Sequence, residues 1–139
     1  MNRREARKQA YLLLFQYKFQ ADEVLELLNN FLEENETKGQ KEYIEKVVRG
    51  CVENIDEIDR TIDEYSKGWK VDRISSVSLA ALRLGTFELL YADDIPAAVS
   101  VNEAVALAKE FEGEEAAPFV NGILGSIKNS CDAKNKENE

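Results

Sequence analysis

Arg3, Arg4, Arg7 and Lys8 crowd the start of the chain, with Glu5 the single acid among them. On a helix turning about 100° per residue, Arg4, Arg7, Lys8, Tyr11, Phe15 and Lys18 share one side, while Ala6, Ala10, Leu13, Leu14 and Tyr17 form a core stripe. Cations interleaved with aromatic rings are the residue types that grip phosphates and stack bases. The charges also face the positive end of the helix macrodipole, which opposes each by about 0.3–1 kcal/mol. Helix stability therefore gives no reason for them. For Tyr11 and Phe15 burial explains the rings equally well, because Leu12 and Phe19 make the helix apolar nearly all round beyond its first turns.

A second constellation is EEAAPFVNG, residues 114–122, a loop running into a helix start with Phe119 near its tip. Helix N-termini favour phosphate and a ring there can stack on a base, yet the loop holds two glutamates and no cation. Phe119 also reads as a core or staple residue. Asn121 and Gly122 cost helix stability, and their position inside an apolar helix predicts close packing or a buried hydrogen bond. The carboxylate pairs Asp93 with Asp94 and Glu114 with Glu115 lack ligand spacing and read as solvated loop charges. The chain has no histidine, which removes imidazole ligands and the commonest general base. No phosphate-cradling glycine motif or nucleophile elbow occurs. The sequence argues against an enzyme, and for neither a metal nor a cofactor.

The elements that must position these residues are helical. Only two prolines and seven glycines interrupt a chain that is 44% hydrophobic and 32% charged, the composition of a folded, helix-rich protein. No apolar run is long enough to span a membrane and no signal-peptide pattern is present, so the expected location is cytoplasmic, away from membranes. Cys51 and Cys131 lack CxxC spacing and read as free thiols. A net charge of −9 argues against indiscriminate nucleic-acid coating and confines any such contact to a local patch.

Apolar spacing predicts helices over most of the chain. After the first, over residues 3–19, a second opens at Ala21 and Asp22, with Asp22 as a cap, and ends in a polar loop over 33–40. A third begins near Lys41 and breaks at Asn54. The stretch 66–72, SKGWKVD, holds the only tryptophan and reads as a hinge between lobes of residues 1–66 and 67–130. Asp72 is the expected cap of a long helix reaching Ala92, which DDIP stops. The next starts within 97–101, where Ser100 and Glu103 have capping-box spacing. It turns Val101, Ala104, Val105, Ala108 and Phe111 inward and ends at Gly113. The last opens around Pro118. Residues 129–139 have little to bury, and a disordered tail is expected over 131–139. The fold class is all-α, a single domain over residues 1–130.

RREAR before a helical LLLFQ, Trp69 with Asp72 and Arg73, then LRLGTFELL, DIP, VSVNEAVALAKEF and FVNGIL together resemble the NusB family of transcription antitermination factors over residues 3–127. The resemblance implies a compact bundle of about seven helices in two lobes. It implies a non-catalytic role in transcription antitermination and termination: binding the boxA element of nascent, single-stranded RNA, jointly with the ribosomal protein NusE, in the antitermination complex on RNA polymerase. The RNA-binding residues it implies are Arg3, Arg4, Arg7 and Lys8, with Phe15 and Phe119 as the aromatic partners. It assigns no residue to the NusE surface. A homodimer using that surface is the open alternative for the free protein. Two rival readings are a protein-binding helical adaptor and a free-standing relative of the RNA-binding domain of ribosomal RNA cytosine methyltransferases.

Overall fold

The long periodic stretches all fold as helices, and among the described residues no strand occurs. A computed structural model describes the backbone of residues 1–137 and the side chains of residues 1–134. Among the described residues seven α-helices follow one another: α1 (Arg3–Gln20), α2 (Val24–Glu34), α3 (Lys41–Glu53), α4 (Ile55–Tyr65), α5 (Ser76–Tyr91), α6 (Ala97–Glu112) and α7 (Ala116–Glu137). Short 3-10 turns at Ala21–Glu23 and Val71–Arg73 precede α2 and α5.

The core is built round α5. Every residue from Ser78 to Glu88 is buried, as a helix that is apolar on all sides must be. It packs against α1, α3, α4, α6 and α7. Two glycines let it approach its neighbours. A Cβ on Gly85 would stand 2.8 Å from Leu124 and 3.1 Å from Ala104, and one on Gly50 would run into the Phe87 ring. Two charges inside α5 are met by counter-charges, as burial requires: Arg83 pairs with Asp59 at 2.8 and 2.9 Å, and Glu88 pairs with Arg7.

Asn54 ends α3 and begins α4, and its side-chain amide donates to the Gly50 carbonyl at 2.8 Å. Gly113, at φ +112°, stops α6. Several expected caps differ. Asp22 sits inside the first 3-10 turn and α2 has no side-chain cap. Asp72 sits inside the second, and α5 is capped by Ser75, whose hydroxyl accepts from the Ser78 N–H at 3.2 Å. Ser100 is buried within α6 rather than capping it, because its hydroxyl is drawn to Glu88.

Phe111, expected inward, is 40% exposed and packs on Tyr11. Asn121 and Gly122 are exposed, with nothing within 4 Å of where a Gly122 Cβ would stand. Neither close packing nor burial accounts for them. The helix α7 continues to Glu137 rather than fraying at 129, helped by a Lys128–Asp132 pair at 2.9 Å and by Cys131 packing on the core. Of the expected tail, residues 138–139 lie outside the described residues.

Candidate nucleic-acid interface

Asn2 starts α1 by accepting the Glu5 N–H on its side chain at 2.8 Å, one of the donors that every helix start leaves free. The cations that follow diverge. Arg3 is exposed, donates to Gln40 Oε1 at 2.8 Å, and holds its guanidinium 4.2 Å from the centre of the Tyr43 ring. Arg4 donates to both Glu103 oxygens, at 2.9 and 3.3 Å, with its own side chain 80% exposed. Lys8 meets Glu110 at 2.6 Å. A groove between α1 and α6 is lined by Arg4, Lys8, Glu103, Leu107 and Glu110.

Arg7 does not join them on the surface. It is 4% exposed and makes a two-pronged contact with Glu88, at 2.8 and 3.2 Å. The same carboxylate accepts from the Tyr43 hydroxyl at 2.5 Å and from the Ser100 hydroxyl at 2.8 Å. Burial works against the charged guanidinium, and the hydrogen bonds and charge of Glu88 outweigh it, leaving the Arg7 pKa above its ordinary value. Burial, followed by the Glu88 charge, pushes the Tyr43 hydroxyl well up, so it stays a donor. One carboxylate thus ties α1, α3, α5 and α6 together. The positions of Arg4, Arg7 and Lys8 do have a stabilising reason: each has an acid from α5 or α6 against it.

Glu88 is not among the residues that sequence patterns single out. Its signal was an acid inside the apolar run LRLGTFELL, where only a paired charge can be buried.

The rings also separate. Tyr11 is buried, donates to the Val77 carbonyl at 3.2 Å and stacks on Phe111, with centres 5.2 Å apart and planes 23° apart. Phe15, about two turns beyond Lys8 along α1, is half-buried and leans on the exposed Phe19 at 5.5 Å. Phe119 is half-buried and meets Trp69 edge to face at 6.1 Å and 74°. They border a recess lined also by Arg73, Ser78, Glu112 and Glu115, so the cation that the sequence did not place beside Phe119 comes from the second 3-10 turn. Trp69 is 55% exposed on a pinned turn. Lys67 and Gly68 take positive φ, the Ser66 hydroxyl donates to the Trp69 carbonyl, and Asp63 accepts the Val71 N–H at 2.8 Å.

Among the described residues no group of histidine, cysteine, aspartate or glutamate is placed to hold a metal ion, and no helix is long and apolar enough to cross a membrane. The surface offers cations, open rings and acceptor oxygens: the equipment for binding a charged polymer.

The model of the NusB family matches residues 4–129. Transcription antitermination protein NusB of Acetivibrio thermocellus is 48% identical over 128 residues, covering 91% of this chain and 88% of that protein. Its counterpart in Clostridium acetobutylicum is 40% identical over 135 residues, covering 96% and 100%. Among solved structures, NusB of T. maritima superposes with a TM-score of 0.86 at 38% identity, covering 93% of this chain and 92% of that one. A structure of antitermination factors NusB and NusE in complex with dsRNA superposes with a TM-score of 0.83 at 32% identity, covering 92% and 96%.

Proposed function

This chain belongs to the NusB family, and from that membership we propose that it is a transcription antitermination factor that binds boxA RNA of nascent transcripts together with NusE on RNA polymerase. The observation that carries this reading is the cation set on the first turns of α1, exposed Arg3 and Arg4 with half-buried Lys8, in a protein whose net charge is −9. In so acidic a chain a local basic patch is what a selective polyanion binder needs. The solved complex of NusB and NusE with dsRNA supports both partners. An acidic protein also suits a basic ribosomal protein as its companion.

In this reading Arg3, Arg4 and Lys8 meet phosphates, and Phe15 and Phe119 seat bases. Arg7 acts from the interior: bound to Glu88, it fixes the direction in which the helix start presents its neighbours. The role is binding rather than catalysis, and its place is the cytoplasm, where nascent transcripts are made.

Binding to a single-stranded boxA-like RNA over a series of salt concentrations tests the reading. Each phosphate neutralised on a single strand contributes roughly 0.7 to the slope of log affinity against log salt, so these three cations give about −2. Arg3→Ala and Arg4→Ala should each flatten the slope by about 0.7. A flat response in the unaltered protein would overturn the RNA role of α1. Adding NusE should tighten RNA binding.

A further inference from the structure

Phe111 is a large apolar side chain of α6 that the core leaves 40% exposed. A scattered exposed ring needs no explanation, but this one is set in a particular frame. One of its faces lies on Tyr11, 5.2 Å away and within 23° of parallel, and Tyr11 is itself immobilised by burial and by its hydrogen bond to Val77. The Lys8 ammonium stands over the ring, 5.4 Å from its centre, while it pairs with Glu110. The next residue, Glu112, takes the Ser78 hydroxyl and lines the recess of Trp69 and Phe119. Phe111 therefore stands between the cations of α1 and the aromatic recess.

We propose that Phe111 is a base-stacking platform: an unpaired RNA base lies on the exposed part of the ring, and the Lys8 ammonium moves from the ring to the adjoining phosphate. The proposal rests on the RNA-binding reading above and adds a residue to that site. A ring backed by a rigid second ring is pre-organised, so little side-chain freedom is lost when a base settles on it. Glu110 and Glu112, the chain neighbours of Phe111, repel a phosphate laid over the ring. An uncharged base meets no such penalty, and the nearby cation draws the backbone to one side. The strand then runs from Arg4 and Lys8 across Phe111 to Phe119 and Trp69.

The test uses single-stranded boxA-like RNAs carrying 2-aminopurine at one position at a time, titrated with the full chain. Stacking on Phe111 should quench the emission at one position. Phe111→Leu, which keeps an apolar cover on Tyr11, should abolish that quenching and weaken binding roughly 5- to 150-fold, the range for one base lost from an aromatic platform, with the salt slope unchanged. Phe111→Met is a second ring-less variant should the leucine chain fold poorly, and Phe111→Tyr should retain both quenching and affinity. Unchanged affinity and quenching in Phe111→Leu, while Arg4→Ala still weakens binding, would overturn the platform and leave the RNA reading standing. Loss of affinity only when NusE is present would also overturn it, because the ring would then be covered by protein. A salt-independent interaction of the unaltered chain with RNA would remove the RNA reading itself.

Discussion

Arg7 and Glu88 meet inside the protein, the guanidinium Nε and Nη2 donating to the two carboxylate oxygens at 2.8 and 3.2 Å. The pair joins the basic first turn of α1 to the middle of the fold, and with Tyr43 and Ser100 it fills all four acceptor directions of the carboxylate. A helix that starts with like charges against its own dipole is held in place by one of those charges. That frees Arg3, Arg4 and Lys8 to face outward from a fixed base.

Removing one partner of such a pair should cost far more than removing both. Glu88→Leu strands the Arg7 charge in the interior and should destabilise the protein by about 3–5 kcal/mol. Arg7→Met combined with Glu88→Leu should recover a large part of that loss, although the Tyr43 and Ser100 hydroxyls are left without their acceptor at about 1–3 kcal/mol each. Urea unfolding of the three proteins measures this. A double variant no more stable than the single one would mean that the carboxylate matters to the hydroxyls and hardly to Arg7.

The acids of α6 hold Arg4 and Lys8, so under the proposed RNA-binding role an RNA phosphate would compete with Glu103 and Glu110 for those cations. Surface pairs are worth about 0.2–1 kcal/mol, although Glu103 is only 18% exposed beside its exposed arginine. Glu103→Gln and Glu110→Gln should therefore each tighten RNA binding by about 1.5- to 5-fold, with little effect on urea stability. Weaker binding in Glu103→Gln would show that Glu103 positions Arg4 for its ligand rather than competing for it.

Alkaline pH should expose the buried tyrosines. Burial, reinforced by Glu112 and Glu110, pushes the Tyr11 pKa from 10.0 to about 12, and Tyr43 moves in the same direction. A phenol that holds its proton more tightly when folded contributes stability that is complete below about pH 10 and is lost as pH climbs from 10 towards 12. Stability should fall across that window, and fall less steeply in Tyr11→Phe. Parallel curves for the two proteins would place the alkaline loss elsewhere, with Tyr43 the first alternative.

Legibility in the sequence followed the range of the interactions. Apolar spacing revealed the helices, and the breaks at Asn54 and Gly113 were readable because a helix end is decided by a few adjacent residues. The wheel groups Arg7 with the surface cations because it shows which residues share a side and says nothing of what lies opposite. Its partner is 81 residues away. The same limit explains Ser100 and Glu103, whose capping-box spacing is genuine, yet whose side chains serve Glu88 and Arg4. The recess beside Phe119 is half legible: the ring stands in a local motif, while Trp69 and Arg73 arrive from a turn that only the tertiary fold brings near.

Glycine shows the same division, in a form that mutation can test. Gly122, inside an apolar stretch, suggested close packing, yet its surroundings are open, whereas Gly85 is where α5 is pressed between Leu124 and Ala104. Gly85→Ala should destabilise, because overpacking costs about 1–3 kcal/mol and the roughly 1 kcal/mol gained in helix propensity does not offset the upper part of that range. Gly122→Ala meets no neighbour and keeps only the propensity term, so it should stabilise by up to about 1 kcal/mol. Thermal unfolding of the two variants should move the midpoint in opposite directions. Stabilisation by Gly85→Ala would mean that Leu124 swings away at no cost, and that the close approach of α5 to α7 does not depend on a bare backbone at this position.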